Sequence, residues 1–130
     1  MKKLILFLFT LVILAGCEAQ PAQQTQVENV TIQISDISPT GATVTITDTN
    51  EEPYIYGEWY KIQAMTDDGW QDLPTVIDNY GFESIGYLSD KNGEVKFAIH
   101  WEWLYGTLPA GTYRIFKEVN RQEISIEFQI

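Results

Sequence analysis

From Val30 onward, apolar and polar residues alternate with period two, and no useful length repeats at the 3.6 residues of a helix. Val30, Ile32 and Ile34 alternate with Thr31, Gln33 and Ser35, and Ser38-Pro39-Thr40-Gly41 then predicts a turn. Ala42, Val44 and Ile46 alternate with three threonines until Asp48 to Pro53 breaks the run. Tyr54 to Met65 predicts a longer strand with a bulge at Gly57, and Asp67-Asp68-Gly69 a hairpin into a short strand around Trp70 to Leu73. Val95, Phe97, Ile99, Trp101 and Trp103 share one face of the next strand. Thr112 to Val119 and Glu123 to Ile130 pair across Asn120-Arg121, with Ile124, Ile126, Phe128 and Ile130 strictly alternating. Residues 74 to 92 follow no period.

About seven strands at this spacing predict an all-β fold, a two-sheet antiparallel sandwich without a disulfide. Period two by itself is equally compatible with a small closed barrel. Leu108-Pro109-Ala110-Gly111-Thr112-Tyr113 favours the sandwich. It resembles a tyrosine corner, in which a tyrosine opening the penultimate strand bonds its hydroxyl to upstream backbone. Tyr113 is that tyrosine.

The start of the chain follows different rules. Lys2 and Lys3 precede an apolar run from Leu4 to Ala15, too short for a membrane span of ~20 residues and suited to a secretory signal. The run ends in Leu14-Ala15-Gly16-Cys17, which resembles the lipobox of bacterial lipoproteins. That resemblance implies that Cys17, the chain's single cysteine, carries a diacylglyceryl group once the peptide bond before it is cut. Residues 1–16 are then a signal peptide, 17–28 a Gln- and Pro-containing flexible tether and 29–130 the folded domain.

Composition narrows the partners. Eight basic residues stand against 18 acidic ones, for a formal net charge of −10. Cleavage before Cys17 removes Lys2 and Lys3 and makes the mature chain two units more negative still. Such a chain lacks the cationic surface that displaces counterions from nucleic acid. It is also repelled by anionic head groups within a Debye length of ~8 Å, so lipid holds the protein at the membrane while charge holds the domain off it.

The stretches Gly41 to Ile46, Tyr56-Gly57-Glu58-Trp59-Tyr60, Trp101 to Gly106 and Gly111-Thr112-Tyr113-Arg114 resemble a bacterial immunoglobulin-like domain. The resemblance covers roughly residues 30 to 120. It implies a sandwich on the outer face of the cell membrane, of Gram-positive rather than periplasmic type, and no catalytic residues. The expected role is a non-catalytic binding or interaction module whose partner is an envelope or extracellular protein or a glycan. A metal- or ligand-sensing lipoprotein is the alternative reading, with a small hydrolase behind it.

Candidate chemistry is sparse. His100, the single histidine, points away from the apolar face and has no neighbouring nucleophile or second imidazole. Acidic groups at Asp48, Glu51 and Glu52, at Asp67 and Asp68, and at Asp90 read as solvated turns; calcium needs six or more converging oxygens. No cofactor or metal is implied. Four Trp and seven Tyr are the more informative residues. Trp59 is the expected central tryptophan, Trp101 and Trp103 are expected in the core, and Tyr54, Tyr56 and Tyr60 are expected in an outward row that binds a partner.

Overall fold

Alternating β-branched residues bounded by turn residues build two antiparallel sheets in the computed structural model, which describes residues 26–130. The strands are β1 (Val30–Ser38), β2 (Gly41–Asp48), β3 (Tyr60–Thr66), β4 (Gly69–Asp72), β5 (Glu94–Ile99), β6 (Thr112–Val119) and β7 (Gln122–Gln129). One short helical turn, α1 (Glu102–Tyr105), follows β5. The first sheet has the order β1-β2-β5 and the second β4-β3-β6-β7. The expected two-sheet sandwich is the fold.

Each inward row follows from the alternation. Val44 and Ile46 of β2 sit opposite Phe97 and Val95 of β5, while Ile62, Ile115 and Ile126 line up across β3, β6 and β7. Val44, Ile46 and Ile115 are fully buried, and truncating such a side chain to alanine costs about 2–5 kcal/mol. Val27 packs against the same core.

Two glycines are demanded by close approach. A Cβ on Gly41 would lie 2.3 Å from the Ile99 carbonyl oxygen, so β2 reaches β5 only with glycine there. A Cβ on Gly93 would lie 2.6 Å from the Asp48 carbonyl oxygen, and Gly93 has a φ of +76°. The β6–β7 turn instead places Asn120 and Arg121 at φ 47° and 62°, the left-handed pair of a two-residue hairpin turn whose twist matches the strands.

Four expectations are corrected. The strand expected over Tyr54 to Met65 begins only at Tyr60, and before it Tyr56 forms a single bridge to Tyr87. Trp101 and Trp103 are not on a strand, because β5 ends at Ile99 and the chain winds into α1. There a two-residue offset points to nearly opposite sides, so Trp101 is buried with Leu104 while Trp103 is 43% exposed. Trp59 is only half-buried, and Trp101 fills the centre, its Nε1 donating to the Pro39 carbonyl at 2.9 Å. Asp48, expected in a solvated turn, continues the inward row of Val44 and Ile46 and is buried.

Candidate functional site

The tyrosine row does not form an outward face. Tyr56 is fully buried, Tyr60 is 6% exposed and Tyr54 is half-buried. The cause is the missing strand: without a pleat over 54–59, residues two apart need not share a face. Tyr56 Oη donates to Asp48 Oδ2 at 2.8 Å, and the same oxygen accepts the Tyr54 backbone N–H at 2.8 Å. Asp48 Oδ1 accepts the Asn50 backbone N–H at 3.0 Å and its Nδ2 at 2.8 Å. Burial works against the Asp48 charge, but these donors outweigh it and hold the carboxyl below its ordinary range.

Tyr113 Oη donates to the Pro109 carbonyl at 2.6 Å, four residues upstream, and its ring stacks on Phe128 at 5.6 Å. Cys17 lies outside the described residues.

Between β4 and β5, the chain runs from residue 73 to 93 with no ladder beyond the Tyr56–Tyr87 bridge. Backbone bonds at Leu73 to Ile62, Val76 to Leu104 and Asp90 to Glu94 tie it down. It nevertheless exposes Val76, Tyr80, Ile85 and Leu88.

This segment forms one wall of a cleft of about 450 Å3. The opposite wall is the outer edge of β5, where Lys96, Phe97, Ala98 and Ile99 take part, with His100 just beyond its end. Consecutive residues of a strand can line one cleft only when it is viewed edge-on, because their side chains alternate. The remaining lining is aromatic apart from Glu58. Phe82 meets Tyr60 edge-on at 5.2 Å and Trp103 at 5.9 Å, and Tyr80 meets Trp103 at 6.4 Å. Tyr87 meets Phe97 at 5.5 Å.

Glu58 lines the cleft and accepts a hydrogen bond from Tyr87 Oη. Behind Phe97, the fully buried Lys117 donates to the Gly57 carbonyl at 2.7 Å and lies 3.8 Å from the Phe97 ring centroid. Burial pulls its pKa down to about 8, with the Glu58 charge opposing. Tyr60 Oη is buried without a hydrogen-bond partner; burial pushes its phenol up to about 12, against the nearby Trp103 indole.

His100 is exposed at the rim, as expected. Asp90 accepts the backbone N–H groups of Glu94 and Asn92, which keep its carboxyl below the ordinary range. Among the described residues, no three His, Cys, Asp or Glu side chains gather as metal ligands do. Glu58, Phe82, Tyr87 and Lys117 were not singled out by the alternation. Lys117 could have been, since it shares the inward register of Tyr113, Ile115 and Val119.

Sheets of order β1-β2-β5 and β4-β3-β6-β7 define an immunoglobulin-type sandwich, a class suited to binding or interaction. The chain belongs to the bacterial Ig-like domain family, whose model matches residues 26–129. No curated protein and no solved structure matches it. In the constant-type immunoglobulin arrangement, a further strand covers the edge that β5 presents. Here the 73–93 segment passes that edge without pairing, and the cleft occupies the gap.

Proposed function

We propose that this protein is a lipid-anchored, outward-facing interaction module that recognises an envelope or extracellular partner through the aromatic cleft beside β5. The supporting observation is the 73–93 segment. Loops longer than about 12–15 residues without secondary structure are uncommon in compact domains and are mostly functional or disordered. This one is tied down by backbone bonds, yet leaves Leu88 70% exposed and Trp103 and Tyr80 open to solvent. Trp103 lines the cleft, Tyr80 packs on Trp103, and Leu88 follows the lining residue Tyr87 in the chain. Exposed apolar side chains beside a cleft are what a partner surface requires. The module works without catalysis: its one histidine and its clustered aromatics serve contact rather than bond cleavage.

The anchor is the diacylglyceryl group on Cys17, and the acidic domain stands off the anionic surface to which that lipid holds it. A test combines both parts in the full chain, expressed in a Gram-positive host. A photo-crosslinking residue at Leu88 should yield envelope adducts, whereas one at Gln33, exposed on β1, should not. Cys17→Ser should release the protein from the detergent phase. Equal adducts at both positions would refute the binding face, and unchanged detergent partitioning would refute the anchor.

A further inference from the structure

We propose that the cleft between β5 and the 73–93 segment is a subsite for a neutral saccharide, a reading that rests on the binding role given above. Its size of about 450 Å3 falls within the roughly 300–1,000 Å3 of small-ligand sites. Trp103 supplies a stacking platform. Although 43% exposed, its indole is fixed by edge-to-face contacts with Phe82 and Tyr80, so little side-chain entropy remains to be lost on binding. The C–H face of a pyranose ring matches such a surface.

The polar groups call for a ligand that both donates and accepts. Tyr60 Oη is buried in the wall with no partner, and a buried polar atom left alone requires an explanation. The oxygen itself is shielded from solvent, so a small shift of the side chains over it would open it to a ligand hydroxyl, which pairs it in either direction. Glu58 is oriented by Tyr87 through one carboxylate oxygen, and the other accepts no hydrogen bond among the described residues. Lys96 and His100 at the rim bring donors.

Charge weighs against a simple anion or cation. An anion would face Glu58 within a chain of net charge −10. A cation would face Lys96 at the rim, and the Phe97 ring that would attract it already carries the Lys117 ammonium. A neutral ligand with a flat apolar face and a rim of hydroxyls uses every group and opposes none.

The test titrates isotope-labelled full-length protein in detergent with neutral oligosaccharides: tetramers of N-acetylglucosamine, of β-1,4-glucose and of α-1,4-glucose. At least one should shift the Trp103 indole N–H and the amides of residues 96–100 saturably at millimolar concentration. Trp103→Ala should weaken that binding tenfold or more and Glu58→Gln several-fold. Trp70→Ala, an indole over Arg114 and outside the cleft, should leave it unchanged. Silence from all three sugars, or shifts that survive Trp103→Ala, would overturn the proposal. An extended peptide that shifts the 96–100 amides where sugars do not would also overturn it, while leaving the interaction-module reading intact. Loss of the Leu88 crosslinks would remove that broader reading instead.

Discussion

Tyr56 Oη donates to Asp48 Oδ2 at 2.8 Å, joining the end of β2 to a phenol eight residues further along the chain. This buried pair, with the Asn50 and Tyr54 donors around it, fixes the crossover from one sheet to the other. It replaces the strand pairing that this stretch lacks.

Asp48→Asn should therefore lower stability by about 2–4 kcal/mol at pH 7, because it turns an ionised acceptor of four hydrogen bonds into a neutral group. The folded-state pKa of Asp48 lies below its ordinary value. Its contribution is thus complete above about pH 4 and lost as pH falls through the folded pKa. Urea unfolding should show the two proteins converging at low pH. A gap that persists undiminished to pH 2 would contradict the linkage.

Lys117 should give a pH dependence of the same sign in an alkaline window. Its pKa falls to about 8 on folding, so between pH 8 and about 10.5 the unfolded chain binds more protons and stability rises with pH. The full effect is at most about 3 kcal/mol, from the usual conversion of 1.36 kcal/mol per unit. Above pH 10 the buried phenols reverse the trend, since Tyr60 keeps its proton to about pH 12 while the unfolded tyrosine has lost it. Lys117→Met should be as stable as wild type at pH 7, or more so, and should lack the rise. An identical pH profile in the variant would assign the rise elsewhere.

Tyr113→Phe removes one hydroxyl and leaves the stack on Phe128. The Pro109 carbonyl loses its partner, at a cost of about 1–2 kcal/mol. The denaturant midpoint should fall with an unchanged slope, and an unmoved midpoint would show that this hydrogen bond contributes no net stability.

Tyr60→Phe should behave unlike its neighbour. The Tyr60 hydroxyl is buried and unpartnered, so deleting it should raise stability by about 1 kcal/mol or leave it unchanged. Tyr56→Phe breaks a bond to a carboxylate and should cost about 2 kcal/mol. Comparable losses in both variants would mean that Tyr60 Oη is paired after all.

Sequence pattern carried the sandwich far better than the cleft. β1, β2, β6 and β7 were legible because apolar residues recur mostly at every second position and turn residues stop them. The same alternation, pursued further, places Asp48 and Lys117 inward; charge argued for the surface, and register prevailed. Trp101, Leu104 and Leu108 are spaced three and four residues apart, a helical signal hidden under the two-residue spacing of the tryptophans. Tyr54 to Trp59 is rich in strand-favouring aromatics, yet its tyrosines are committed to Asp48 and Tyr87 rather than to a ladder. Phe82 and Tyr87 had no local signal. They reach the cleft through contacts with Tyr60, Trp103 and Phe97, which are distant in sequence.

The left-handed pair Asn120–Arg121 also bears on how the chain assembles. It closes a ladder running from Val119–Gln122 to Thr112–Gln129, the longest uninterrupted pairing among the described residues and a wholly local one. The β2–β5 and β3–β6 ladders join segments much farther apart, so each must close a large loop before its contacts reward it. The last hairpin is thus a cheaper early structure than either of these ladders, and β5 is among the last strands to dock. Folding kinetics should register this as high φ-values at Ile126 and low ones at Val95, with the reverse order ruling the route out. The cleft beside β5 would then be completed only in the closing step of folding.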